Sequence, residues 1–517
     1  MSIRTVAPRP GTEPRRMPSN AGPPRGALPL AVIAVAQLMI VLDASVVIVA
    51  LPSAQHALHI SVADRQWVMT SYTLVFGTLL LLGGRIADYL GRRRMFVVGL
   101  LGFAGASALG GLAQGPAMLF AARALQGAFA AAMAPASLSL LTTTFTEPAE
   151  RARAFGVYGA VAGSGAAIGL VLGGALTQFA SWRWTLLINV PIALLAAAGA
   201  RRFLQESRGP ARRGYDLSGA VAVTAAFFFL VYGFTTAGTD GWSAPVTVGL
   251  LAASLAGLVA FVLVELRSAN PLLPIRIILD RNRGGSFLVS LLVGCAMLGT
   301  FLFLTYYFQG SLGYSAVKTG FAFLPFSFGI IAGATLASRL LPRTGPRALM
   351  VSGLILGAAG LGVLTQLHVG SSYVGLVLPA EIVASFGMGM SFVPMSSTAL
   401  IGVDPADAGV ASALVNGTQQ IGSSLGPALL NTVAASASAA FVLAHPSLAN
   451  VAPAAQVHGY ATGFTVSAAF VVAAAAVAAT VVRAKRSDAP DRQGAGAGGG
   501  EGDVVMPVLV GGELQAG

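Results

Sequence analysis

Apolar runs long enough to cross a bilayer recur along the whole chain, separated by short connectors of arginine, glycine, proline and acidic residues. At about 1.5 Å of rise per residue, about 20 apolar residues span a hydrocarbon core of about 30 Å. The pattern predicts about fourteen such helices, near residues 28–51, 66–87, 95–114, 117–144, 154–178, 183–200, 217–237, 246–265, 285–308, 317–340, 348–367, 373–402, 408–432 and 459–482. An all-α membrane protein is expected, and an even number of crossings puts both tails on one side. Residues 1–27 carry Arg4, Arg9, Arg15, Arg16 and Arg25 among prolines. The run from Ala27 to Leu51 that follows is too long for a signal-peptide core and lacks a clean cleavage site. It reads as an uncleaved first span behind a disordered tail. After Arg492 the chain becomes GAGAGGGEGD, so residues 484–517 read as a second disordered tail.

Hydrophobic residues make up 55% of the 517 and charged ones 10%, a balance in which lipid has to be the main solvent. A net charge of +12 could suggest nucleic acid, but the arginines are dispersed over connectors and form no single patch or helix face. They partition by side instead. Of the 31 basic residues, only Arg65, Arg183 and Lys318 fall on the side away from the tails, and Arg123 lies inside a span. The positive-inside rule then places both termini in the cytoplasm, with the basic connectors against anionic lipid. No nucleic-acid partner is expected. Cys295, the single cysteine, lies within an apolar run, and His56, His59, His368, His445 and His458 lie in or beside connectors without ligand spacing. Neither a disulfide framework nor a metal site is expected. HExxH and phosphate-loop patterns are missing, and no soluble segment of size is present, so neither an enzyme nor a cofactor is expected.

One internal repeat is legible. RIADYLGRR, Arg85 to Arg93, matches RLLPRTGPR, Arg339 to Arg347, at arginine, an aliphatic residue, glycine and arginine, with Pro342 where the first copy has Asp88. Two parallel repeats follow, a plan in which two bundles rock about a midplane site. The predicted organisation is a six-helix bundle over 28–200, a linker with two extra helices over 201–284, and a second six-helix bundle over 285–483.

A charge inside a span costs about 2.5–3.5 kcal/mol on insertion scales, so each one calls for a reason. Asp43 comes out about 8 Å from the outer face, Arg123 about 9 Å deep and Glu381 about 10–12 Å deep. Equal depth permits one cavity in which Arg123 offsets one or both carboxylates and a proton is loaded and released as access alternates. A static buried ion pair that fixes helix register explains the same residues, and Glu381 also reads as an interfacial residue. The connector GGRIADYLGRRR supplies Gly84 for close helix approach, Asp88 at a helix end, the turn glycine Gly91, and Arg92 and Arg93 in a cationic cluster. An aspartate there can cap a helix or pair across the bundle interface as a latch made in one conformer; a plain basic loop is the blander alternative. Gly159, Gly163, Gly165, Gly169, Gly173 and Gly174 recur about every four residues, a seam along which helices approach and slide.

At these residues the chain resembles the Major Facilitator Superfamily, specifically its fourteen-helix drug:proton antiporter branch, over about residues 28–483. GGRIADYLGRRR is similar to the signature loop after the second helix. LDASVVIVALP, Leu42 to Pro52, resembles the first-helix motif and carries Asp43. RALQGAFAA, Arg123 to Ala131, resembles the fourth-helix motif whose arginine is implicated in proton coupling; Gln126 and Gly127 lie beside it, Gln126 as a candidate for the cavity wall. GAAIGLVLGG, Gly165 to Gly174, resembles the fifth-helix antiporter motif, with Leu170 where proline is usual, and SWRWTLLINVPI, Ser181 to Ile192, is typical of the branch. The resemblance implies a major facilitator fold of two six-helix bundles plus two inserted helices. It also implies that spans one, four, nine and twelve line the cavity, bringing Asp43, Arg123 and Glu381 to it. The function implied is proton-coupled efflux of drugs, antibiotics or secondary metabolites across the cytoplasmic membrane. The substrates expected are small, lipophilic and often cationic, with protons and the lipid bilayer as the other partners. The alternative is a facilitator-type transporter of one specific metabolite.

Overall fold

In the computed structural model, residues 26–208, 217–268, 275–403, 408–446 and 451–484 are described, and among them every regular element is helical. The predicted tails lie almost wholly outside them. In chain order the helices are α1 (Ala27–Ala57), α2 (Trp67–Leu90), α3 (Arg92–Gly111), α4 (Pro116–Thr144), α5 (Pro148–Phe179), α6 (Trp184–Leu187), α7 (Asn189–Phe203), α8 (Leu217–Asp240), α9 (Pro245–Arg267), α10 (Ile275–Leu279), α11 (Arg281–Tyr306), α12 (Ala316–Ala322), α13 (Leu324–Thr344), α14 (Pro346–Leu364), α15 (Leu378–Ala399), α16 (Ala408–Ala444) and α17 (Val451–Thr480). Single π-turns, Tyr307–Ser311 and Tyr373–Val377, extend α11 and precede α15.

Among the described residues, 12 helices are long and apolar enough to cross a membrane, against the fourteen expected. Trp67–Leu80 with Leu82–Leu90 passes as a pair bent by 56°, and within α5 only Gly165–Phe179 registers, as a shorter apolar helix. The first half of α5 is diluted by Glu150, Arg151 and Arg153 and by small residues. The predicted sixth span is divided at Ile188 between α6 and α7, and the tenth at Phe323 between α12 and α13.

The repeat seen in the sequence is a repeat of turn geometry. Gly91 closes α2 and opens α3 at φ +114°, and Gly345 closes α13 and opens α14 at φ +80°. Both occupy positive-φ backbone that side chains other than glycine rarely adopt, which is why glycine survives in a copy that has lost the aspartate. Between lipid-solvated helices little hydrophobic drive remains, and small residues that let backbones touch hold the bundles instead. Gly83 of α2 lies against the Ala131 backbone of α4, Gly353 of α14 against Gly387 of α15, and Gly422 and Gly426 of α16 against Leu291 and Cys295 of α11.

The buried apolar clusters show how the two halves meet. One cluster, with Ile33, Met39, Phe96, Leu100 and Leu140, stays within α1 to α7. Another, with Ala337, Leu341, Leu349 and Met390, stays within α13 to α15. The large cluster that crosses between halves draws its first-half members, Leu51, Ala54, Leu58, Val68 and Leu186 among them, from the end where α1 stops and α2 begins. The halves are therefore joined at the end away from the basic connectors. Helix α8 braces that junction: Trp67 of α2 lies 6.0 Å from the Phe228 ring, and Thr432 of α16 donates to the Phe234 carbonyl at 2.8 Å. Its partner α9 presents Val246, Leu255, Val259, Leu263 and Leu266 outward, the surface expected against lipid.

Candidate functional site

Five helices of the first half each deliver one or two polar side chains to a single buried point. Arg123 and Gln126 are three residues apart on α4 and so share a face. Asp43 comes from α1, Ser107 from α3, Tyr72 from α2, and Asn189 is the first residue of α7, separated from the end of α6 by Ile188. All are buried, with Asp43 and Gln126 at 0% exposure and Arg123 at 1%.

The pairing is dense. Arg123 Nη1 donates to Asp43 Oδ2 at 2.6 Å and to Gln126 Oε1 at 2.9 Å, and its Nε donates to the Val68 carbonyl at 3.0 Å. The guanidinium carbon stands 4.6 Å from the centre of the Tyr72 ring, a cation–π arrangement. Asp43 Oδ1 accepts from Gln126 Nε2 at 3.0 Å and from Asn189 Nδ2 at 2.8 Å, and the Gln126 amide also donates to Ser107 Oγ at 2.7 Å. The charge pair thus has the extra hydrogen bonds a buried ion pair needs if attraction is to offset desolvation. Gln126, expected at the cavity wall, is fully enclosed and its amide is committed to this cluster. Asn189 and Ser107 gave no separate sequence signal; the one available for Asn189 was a lone amide in the apolar stretch TLLINVPI.

Glu381 is placed elsewhere. It lies in the first turn of α15, 1% exposed, and among the described residues neither carboxylate oxygen has a hydrogen-bond partner. The expectation that three charges converge is met for Asp43 and Arg123 only. Rise per residue gives depth but not lateral position, and α15 packs on α13 and α14 in the second half, where Gly333 and Gly360 receive it. Its burial also differs from the interfacial alternative.

The connector after α2 is tied within its own half. Asp88 Oδ1 accepts from Arg92 Nε at 2.8 Å. Glu206, which sequence reasoning passed over, caps α3: its carboxylate accepts from the backbone N–H of Arg93 at 3.0 Å and of Arg94 at 3.2 Å, where an anion meets the positive end of the helix dipole. Arg93 Nη1 donates to the Leu204 carbonyl at 3.2 Å, and Gly84 accommodates Pro135 of α4. The partners described for Asp88, Arg92 and Arg93 all belong to the first half.

The α5 glycines face two ways. Gly165, Gly169 and Gly173 lie against Val41, Ser45 and Val46 of α1, the helix that carries Asp43. Gly174 instead meets the backbone of Ala316 and Val317 in α12, and Gly320 of α12 reciprocally meets Leu170 and Val171. One seam therefore carries both the α1 contact and a crossing between the halves.

A sequence model of the Major Facilitator Superfamily matches residues 33–427. A puromycin resistance protein of Streptomyces alboniger is 50% identical over 471 residues, which cover 90% of this chain and 93% of that protein. A cephamycin export protein of Amycolatopsis lactamdurans is 41% identical over 408 residues, 78% of this chain and 83% of its own. A tetracenomycin C resistance and export protein of Streptomyces glaucescens is 34% identical over 410 residues, 79% and 76% respectively. Among solved structures, a bacterial homologue of the human lysosomal transporter Spinster, inward-facing and unoccupied, shares the fold with a TM-score of 0.64 at 16% identity, over 91% of this chain and 99% of that one.

Proposed function

Because this chain belongs to the Major Facilitator Superfamily, we propose that it exports lipophilic antibiotics or related secondary metabolites across the cytoplasmic membrane by alternating access, in exchange for protons. Relatives named for puromycin, cephamycin and tetracenomycin support the direction and the class of cargo. The proton part is carried by one observation: Asp43, wholly buried, is bonded to Arg123, Gln126 and Asn189 on a helix that rides on the α5 glycine seam.

The mechanism follows from that placement. Protonation of Asp43 removes the charge that three donors converge on, and α1 loses its strongest attachment to α4 and α7. A helix released there is free to shift on a glycine surface with no side chains to interlock. The joined end of the two halves, away from the basic connectors, is the closed mouth, and the basic end takes the cytoplasmic side under the charge rule. Substrate then enters from the cytoplasm or the inner leaflet. The second half contributes Glu381, a buried acid without a hydrogen-bond partner among the described residues, for a further proton or a cationic group on the cargo.

Puromycin is the first compound to test. In inverted membrane vesicles with an acidic lumen, the protein is expected to drive uptake of labelled puromycin that stops when nigericin collapses the pH gradient. Uptake unchanged by nigericin would remove proton exchange; faster accumulation in intact expressing cells than in control cells would remove export.

A further inference from the structure

The three basic residues on the side away from the tails are exceptions to the charge pattern, and they are handled differently. Arg183 spends its Nη1 on the carbonyls of Gly111 and Ala113 inside the first half, and Lys318 is exposed, its ammonium 3.8 Å from the Tyr314 ring. Arg65 is buried at 5% exposure and reaches across the boundary between the halves. Its Nε donates to Asn431 Oδ1 of α16 at 3.2 Å, and its guanidinium carbon lies 4.0 Å from the centre of the Tyr306 ring of α11. Asn431 Nδ2 donates back to the Val62 carbonyl at 3.0 Å and to Gln66 Oε1 at 3.1 Å. The Tyr306 hydroxyl donates to Gln55 Oε1 of α1. Helix α8 joins through Gln66 Nε2, which donates to Thr235 Oγ1 at 3.3 Å.

No carboxylate is among the described partners of Arg65. A guanidinium taken out of water costs several kcal/mol before its interactions are counted, and an amide oxygen with an aromatic face offsets less of that than an acid does. A cation held this way closes the interface yet releases readily. An acid in the same place would hold it far more firmly. We infer that Arg65, Asn431 and Tyr306 form a polar seal over the far mouth, and that the missing acid sets how often the seal opens. This rests on the alternating-access reading above. It adds residues to the cycle that the Asp43 cluster does not include.

The test uses a reporter cysteine at Ala54, 3% exposed in the apolar cluster that joins the halves at this end. The native Cys295 is buried and supplies the background rate when Ala54 is left in place. Labelling by a membrane-impermeant maleimide from the far side reads how often the mouth opens. Asn431→Asp supplies the acid, gives up the donor to the Val62 carbonyl, and is expected on balance to slow labelling about tenfold, because a hydrogen bond to a charged group contributes about 1.5–3 kcal/mol against about 1 kcal/mol for the neutral one lost; the Gln66 amide can turn over to donate to the new carboxylate. Asn431→Leu strips Arg65, Val62 and Gln66 of their partner and is expected to speed labelling about tenfold. A merely structural position would move both variants the same way, and that result, or two rates equal to the parent's, overturns the seal. The readout needs neither substrate nor a pH gradient, so it stands apart from the puromycin experiment.

Discussion

Neutralising Asp43 separates a proton relay from a static strut. In Asp43→Asn, either the Oδ2 that receives Arg123 at 2.6 Å or the Oδ1 that receives Gln126 and Asn189 becomes an amide nitrogen, so donor faces donor in either orientation. With the nitrogen at the Oδ2 position Arg123 is left with the Val68 carbonyl, Gln126 Oε1 and the Tyr72 ring; with it at the Oδ1 position Arg123 keeps a neutral amide oxygen in place of its counter-charge while Gln126 and Asn189 face a donor. Removing one partner of a buried pair costs about 3–5 kcal/mol because the other charge is stranded, whereas replacing both with neutral groups costs far less. The single variant is therefore expected to lose about 3–5 kcal/mol, and Asp43→Asn combined with Arg123→Gln to recover at least about half of it. Denaturant unfolding in detergent, followed by the fluorescence of the chain's four tryptophans, gives the stabilities, and nigericin-sensitive uptake into inverted vesicles gives transport. Proton-driven uptake is expected to stay lost in the double variant even as stability returns. A single variant as stable as the parent would refute the energetics. Recovered proton-driven transport in the double variant would reduce the pair to a device for helix register.

Three further outcomes are expected. Glu381→Gln should leave stability unchanged or raise it, since among the described residues neither oxygen of Glu381 has a hydrogen bond to lose and an isosteric amide cannot bring a charge into the buried site; a loss above about 2 kcal/mol by the same unfolding assay would point to a hydrogen bond beyond those described. Gly91→Ala forces a side chain into φ +114° backbone and sets a Cβ 2.7 Å from the Glu206 carboxyl carbon, so a loss of about 1–3 kcal/mol is expected, while Gly105→Ala, where a Cβ meets nothing within 4 Å, serves as the neutral control. Gly174→Val drives a branched side chain into the Ala316 and Val317 backbone of α12. It should wedge the halves apart and raise maleimide labelling at Ala54→Cys, and an unchanged rate would mean that α5 and α12 do not meet in the closed form.

The basic connectors, the recurrence of long apolar runs, though not their number, and the turn glycines were legible in the sequence because each depends on local quantities: rise per residue, the cost of charge in hydrocarbon, and the φ angle a residue tolerates. Gly91 and Gly345 show this best, since the match read from RIADYLGRR and RLLPRTGPR is a match of backbone conformation. Asp43, Arg123 and Glu381 show where such reading stops. Their depths agree, but depth is one coordinate of three, and rotation about each helix axis together with the choice of neighbour is settled by which small-residue faces interlock. Packing of α1, α3, α4 and α7 gave Arg123 to Asp43 and brought in Asn189 and Ser107, while α15 carried Glu381 into the other half. The Glu206 cap on α3 and the reach of Arg65 to Asn431, 366 positions away in the chain, likewise exist only after the helices have been placed, because a contact between distant residues has no counterpart in any local period of the sequence.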